Sequence, residues 1–155
     1  MEDEIFSVET VVAEIEISYT PNIKPSKRPK IKEPEDAYRL LLATWDKSKI
    51  ELVEQFKVIL LTNSRGVLGI CTLTSGTITH TLADPKQVFG LALKANAVEI
   101  MLAHNHPSGN LSPSKADHEL TRKMKIAGQF LELKVINHFI ISTEGFYSFA
   151  KEGFI

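Results

Sequence analysis

The sequence holds one cysteine, Cys71, among 155 residues. A single thiol allows no intramolecular disulfide, so the chain must fold on its core alone, as proteins of reducing compartments do. Long apolar runs are missing too. No stretch approaches the ~18 residues of a membrane span, and the acidic opening "MEDEIF" does not begin a secretory signal. A cytoplasmic location is the expectation. Charge of one sign is not in excess: 18 Lys and Arg against 19 Asp and Glu leave a net charge of -1. Global charge therefore marks neither a nucleic-acid binder nor an acidic surface protein. The glycine spacings that cradle nucleotide phosphates are absent as well. What remains is the composition of a globular domain, 43% hydrophobic and 24% charged, at a length where folding buries roughly two-thirds of the unfolded surface.

Periodicity divides the chain. Val11 to Tyr19, "VVAEIEISY", alternates apolar and polar, which predicts a half-buried strand free to pair within the chain or with another copy. "TPNIKPSKRPKIKEP" follows, with four prolines and five Lys or Arg. It reads as a linker or extended arm, either solvated or touching an acidic partner. Residues 1–33 are thus taken as strand plus linker, and 34–155 as the main domain. From Pro34, "PEDAYRLLLATWD" has a helix-starting proline, two acids in the first turn and an apolar stripe at Ala37, Tyr38, Leu41, Leu42 and Trp45.

"EQFKVILLT" predicts a strand, and "VLGICTLTSGTITHTL" two short ones broken near Ser75 and Gly76. Asp84 caps a helix with Pro85 in its first turn and a stripe of Val88, Leu91, Ala92 and Ala95. "VEIMLAH" is a strand. A helix follows from Ser114 with Leu120, Met124, Ala127 and Leu131 on one stripe. "KVINHFIIS" and "GFYSF" are the last strands. Strands and helices interleave, but several strands join by short turns. The expected fold is mixed α/β, a mixed sheet with helices packed on it.

One segment carries chemistry: "HNHPSGNLSPSKAD", His104 to Asp117. Side chains two apart on extended backbone point the same way, so His104 and His106 converge from a strand end. Pro107 ends the strand, and Gly109 and Asn110 turn the chain. Asp117 falls in the first turn of the next helix and faces back toward the strand end. Two imidazoles and a carboxylate suit zinc, and three protein ligands leave a fourth position open, as catalytic zinc sites do. Such an ion lowers the pKa of a bound water to ~7. Hydrolysis would also need a general base and an oxyanion donor, which the hydroxyl of Ser114 could supply. The plainer reading is a capping pair, Ser114 answered by Asp117 at the third helical position. Spacing alone leaves both open, though a cap has no use for two histidines at the end of an apolar strand. The letters "HNH" are not the nuclease signature of that name, whose residues are spread along a ββα hairpin.

His104, His106, Ser114 and Asp117 match His-x-His-x7-Ser-x2-Asp, which resembles the JAMM signature of MPN/JAB metallopeptidases. The wider string "AHNHPSGNLSPSKAD", with "TRKMKIAGQFLELKVINHFIIS", is similar to the RadC-like bacterial branch over roughly Pro34 to Ala150. The resemblance implies a cytidine-deaminase-like JAB/MPN fold. It implies zinc held by His104, His106 and Asp117, with Ser114 stabilising the tetrahedral intermediate. It also implies a glutamate on an upstream strand as general base; Glu54, in Glu54-Gln55-Phe56, fits best, before Glu51 and then Glu99. The implied activity is zinc-dependent cleavage of a peptide or isopeptide bond in a peptide or protein substrate. The alternative is a DNA-repair-associated binding module without peptidase activity. The first 33 residues are too short for the helix-hairpin-helix region of longer RadC proteins, which counts against a nucleic-acid partner. Asn137-His138 stands where the family often has Asp-His.

Other residues draw plainer expectations. His138, in an apolar strand, is either a partner of the ligands or a satisfied core histidine. His118 is expected on the surface, and His80 shows no partner. Cys71 reads as a small core residue. Arg122, Lys123 and Lys125 form a basic helix face that is usually just solvated.

Overall fold

The computed structural model describes residues 18–75 and 83–155. Eight regular elements follow in chain order: α1 (Pro34–Thr44), β1 (Gln55–Leu61), β2 (Val67–Ser75), α2 (Pro85–Lys94), β3 (Glu99–Asn105), α3 (Lys115–Phe130), β4 (Lys134–Ile141) and β5 (Phe146–Ser148). The strands form one sheet in the order β2-β1-β3-β4-β5. β1 is antiparallel to β2 and β3, β3 is parallel to β4, and β5 closes the edge antiparallel to β4. The mixed α/β arrangement expected from the sequence is the one that forms. Parallel neighbours need a crossover, and α3 supplies it between β3 and β4. The loop into α3 therefore leaves the carboxyl end of a central strand, the side on which open α/β sheets bind ligands.

Every residue of β1 and β3 is buried, because helices cover both faces of the sheet. On one face Phe56, Val58, Leu60, Ile100 and Leu102 pack against Val88, Phe89 and Ala92 of α2 and Met124 of α3. On the other, Ile59, Leu61, Met101, Ala103, Phe139 and Ile141 pack against Ala37, Leu41 and Trp45 at α1. His104 continues the first series, two residues after Leu102. The polar site thus grows out of an apolar core face by simple alternation.

The helix starts follow local chemistry. Glu33 and Asp36 form a capping box ahead of α1, and the Asp84 side chain accepts the Lys86 amide at the start of α2. α3 departs from the expected stripe. Its buried positions are Asp117, Thr121, Met124 and Gly128, while Leu131 is 43% exposed. Leu120 and Ala127 only flank the core. Two polar residues take the inward face because they serve the site described below.

The expected strand at Val11 to Tyr19 falls outside the described residues apart from its last two, which have no regular structure. The second strand after Ser75, and His80, also lie outside them. The basic proline-rich segment has one 3-10 turn, Pro25–Lys27. It ends docked: the Ile31 amide donates to Arg65 O at 3.1 Å, and Ile31 is in the core beside α1. Cys71 is half-exposed on the edge strand β2 rather than in the core. No helix among the described residues is long and apolar enough to cross a membrane.

Candidate metal centre

His104 is buried at the end of β3, and His106 stands just beyond it, its amide bonded to Ile141 O of β4 at 3.1 Å. The loop then turns sharply. Gly109 adopts φ +78, a conformation open to glycine, and its amide bonds back to His106 O at 2.9 Å. This brings the Asn110 carbonyl within 2.5 Å of His106 Nδ1. A carbonyl only accepts, so His106 Nδ1 carries a hydrogen, and Nε2 is the nitrogen turned toward His104. That Nε2 lies 3.1 Å from His104 Nε2.

Asp117 divides its carboxylate. Oδ2 accepts from the Ser114 amide at 2.6 Å and the Ser114 hydroxyl at 2.7 Å, and the Asp117 amide donates back to Ser114 Oγ at 3.2 Å. That is a complete capping box. Oδ1 faces His104 Nε2 at 3.1 Å, and Oδ2 lies 3.8 Å from His106 Nε2. The cap and the convergent site are therefore one structure: the cap holds the carboxylate so that its other oxygen faces His104.

One potential ligand atom from each of His104, His106 and Asp117 falls within 4.8 Å of the others. A tetrahedral zinc ion with bonds of ~2.0–2.1 Å sets its ligand atoms roughly 3.3 Å apart. His104 Nε2 lies 3.1 Å from both His106 Nε2 and Asp117 Oδ1, close to that value. Nitrogen, nitrogen and carboxylate oxygen are a donor set that suits zinc. The residues present fit such an ion.

Burial pushes the Asp117 carboxyl up. The hydrogen bond and charge of His104, with the two bonds from Ser114, outweigh it and hold the carboxyl well below the usual carboxylate range. Asp117 is thus ionised throughout the neutral range, as a ligand must be. Complete burial, reinforced by the charges of His104 and His106, holds His138 well below the usual imidazole value, so this ring is neutral.

The three glutamates separate. Glu54 is half-buried just before β1. In the antiparallel pair Phe56 stands opposite His104, and Glu54 lies two residues before Phe56, just outside the strand. Glu51 is exposed, accepts the Thr143 hydroxyl at 3.0 Å, and shares a cleft of about 230 Å3 with His106, Pro107, Ser108 and Glu144. Glu99 is at the far end of β3, paired with Leu61, and lies 3.7 Å from Arg65. Five residues of strand, roughly 16 Å, separate it from His104, so it does not reach the site.

Sequence reasoning passed over two residues. Asn105, between the histidines, points to the opposite face. Its Oδ1 accepts the Gln55 amide at 2.7 Å, and its Nδ2 donates to Ile50 O at 2.6 Å and Val53 O at 2.9 Å. One buried side chain thus ties the segment bearing Glu51 and Glu54 to the strand bearing the histidines. Thr121, one turn after Asp117, bonds through its hydroxyl to Asp117 O at 2.7 Å and to His138 Nδ1 at 2.7 Å. The i, i+4 spacing from Asp117 was the available signal. His138 in turn meets His104 Nδ1 at 2.9 Å, so it is both a core histidine and a partner of the site. Asn137 turns away: its Oδ1 accepts the amides of His138 and Ala150 and fixes the chain beyond β5. His118 is half-buried against Phe149 and Phe154 instead of lying on the surface. Of the basic helix face, Lys125 is committed to Phe154 O at 2.8 Å.

The chain matches the family model of the RadC-like JAB domain over residues 31–154. It is 44% identical over 100 residues to a UPF0758 protein of Flavobacterium johnsoniae, covering 64% of this chain and 44% of that protein. A UPF0758 protein of Symbiobacterium thermophilum is 32% identical over 146 residues, covering 94% of this chain and 61% of that protein. One from Rubrobacter xylanophilus is 36% identical over 131 residues, covering 83% and 55%. The chain therefore spans about half the length of these curated relatives.

Proposed function

Because the chain belongs to the RadC-like JAB domain family, we propose that it is a zinc-dependent hydrolase of the JAMM type, cleaving a peptide or isopeptide bond. The observation that supports this reading best is the convergence of His104, His106 and Asp117. Purely structural zinc sites usually close with four protein ligands, often cysteines; here one cysteine exists, on a distant edge strand.

When bound, zinc would supply Lewis acidity toward a carbonyl and a water. His104, His106 and Asp117 are the residues that would hold it. In this reading Glu54 takes a proton from the attacking water and returns it to the leaving amine, which keeps the carboxylate unchanged over a cycle. Ser114 holds Asp117 in the resting site. In this reading its hydroxyl exchanges that bond for one to the developing oxyanion. Ile50, Glu51 and the Pro107–Gly109 turn line the approach beside His106.

The test is hydrolysis of a broad peptide library in 18O-labelled water by the zinc-loaded protein. New carboxyl termini carrying the label, lost with Glu54→Gln, are the expected result. No labelled product from protein that demonstrably holds zinc would overturn peptide cleavage and turn attention to the binding-module alternative.

A further inference from the structure

We propose that the protein takes an extended peptide in which a lysine or arginine stands two residues from a large apolar residue. The basic side chain lies beside Glu51 and Glu144, and the apolar one against Trp45. The proposal rests on the hydrolase reading above and names its substrate class.

Two depressions adjoin beside the metal centre. The cleft of about 230 Å3 next to His106 takes its lining from two separate segments, one with Ile50 and Glu51 and one with Ser142, Thr143 and Glu144. A second depression, of about 510 Å3, runs over Leu42, Ala43, Trp45 and Lys47 at the end of α1. Ile50, Glu51 and Thr143 line both, so the two are continuous. Both segments are held in place. Asn105 donates to Ile50 O at 2.6 Å, the Tyr38 hydroxyl donates to Ser142 O at 3.0 Å, and the Ser142 amide donates to Gly145 O at 2.9 Å. A groove fixed in advance spends little on ordering when a chain enters it.

Charge sorts the two depressions. Glu51 and Glu144 line the first, and no lysine or arginine among the described residues does. Neither glutamate forms an ion pair among the described residues. Glu51 accepts only a neutral partner, the Thr143 hydroxyl at 3.0 Å. A cationic side chain complements this lining. The second depression is mostly apolar, and Lys47 disfavours a cation there. Independently of charge, Trp45 lines this second depression while its buried Nε1 has no hydrogen-bond partner among the described residues. An unmade buried bond is costly, and the carbonyl of a seated peptide supplies the acceptor. Spacing follows from extended backbone, where alternate side chains point the same way about 6.6 Å apart. Adjoining depressions on one surface therefore take residues i and i+2.

The experiment uses the one tryptophan of the sequence, Trp45, as its reporter. The full chain, with zinc chelated so that no bond is cut, is titrated with short blocked peptides, and Trp45 emission is followed. Lys-Ser-Leu or its reverse, Leu-Ser-Lys, should shift the emission and bind about 10-fold more tightly than Glu-Ser-Leu, the scale of a few partly exposed charge contacts. Adjacent Lys-Leu should bind more weakly than the spaced pair. Glu51→Gln combined with Glu144→Gln should erase most of the preference for lysine; both residues are exposed, so the fold tolerates the change. No shift with any peptide at millimolar concentration, equal affinity for the lysine and glutamate peptides, or a preference that survives both substitutions overturns the proposal. Cleavage by the zinc-loaded protein is read separately. Cleavage without a basic preference sinks the proposal and spares the hydrolase reading, whereas selective binding without cleavage does the reverse.

Discussion

The backbone amide of Gln55 donates to the side chain of Asn105 at 2.7 Å, across 50 residues of sequence. Asn105 also holds Ile50 and Val53, so the approach to Glu54 is fixed to the His104–His106 strand by one amide group. Asn105→Ala leaves two carbonyls and one amide without their partner, at a cost of about 1–3 kcal/mol for each that stays buried. Hydrogen exchange should accelerate at residues 50–55 more than elsewhere, and zinc binding should persist. Uniform acceleration over the whole sheet would show that Asn105 acts on global stability instead.

Glu54→Gln keeps size and hydrogen-bonding capacity but removes the base. The expectation is unchanged zinc content with hydrolysis reduced about 10²- to 10⁴-fold, the usual contribution of general acid–base catalysis. Glu51→Gln, at the mouth of the cleft, should cost far less. The reverse ranking, read from rates on one peptide, would move the base to Glu51.

Gly128 lets α3 approach the start of β4. A Cβ there would sit 2.4 Å from Leu133 O and 3.2 Å from Val135 Cγ2, and neither the backbone carbonyl nor the packed valine can retreat freely. Gly128→Ala should cost about 1–3 kcal/mol by overpacking. Gly90→Ala, in α2 with nothing within 4 Å, should instead stabilise by up to about 1 kcal/mol. Thermal melts of the pair check the contrast; equal effects would mean α3 yields where it now appears wedged.

Much of the site was legible because it is local. Alternation put His104 on the core face, and helical spacing put Asp117 opposite it. What escaped is non-local. Nothing in "HNH" says that the middle residue reaches Ile50, Val53 and Gln55, because that depends on β1 lying beside β3. Thr121 is polar, so the apolar stripe through Leu120, Met124, Ala127 and Leu131 passes it by, although Leu131 is exposed. Apolarity finds the face of a helix that fills a core; it misplaces a face that shares the core with a polar site. Ile31 was hidden for the opposite reason, a single buried side chain inside a basic proline-rich run.

Asp117 links the site to acid stability. Its folded carboxyl is held well below the usual range. The native state therefore binds this proton less readily than the unfolded chain, whose value is ~3.9. The stabilisation is fully present above that value and is lost as pH falls through the lower folded one. In metal-free protein, wild type should melt above Asp117→Asn at pH 6, with the gap narrowing steadily below about pH 4. A gap independent of pH would mean that the cap, not the charge, carries the effect.

The central claim is that His104, His106 and Asp117 form a metal site, and the direct test is metal content. Elemental analysis of purified protein, before and after incubation with zinc and desalting, should give about one zinc per chain. Asp117→Ala, folded by circular dichroism, should hold little. No zinc in either protein after incubation, or equal zinc in both, would contradict the account.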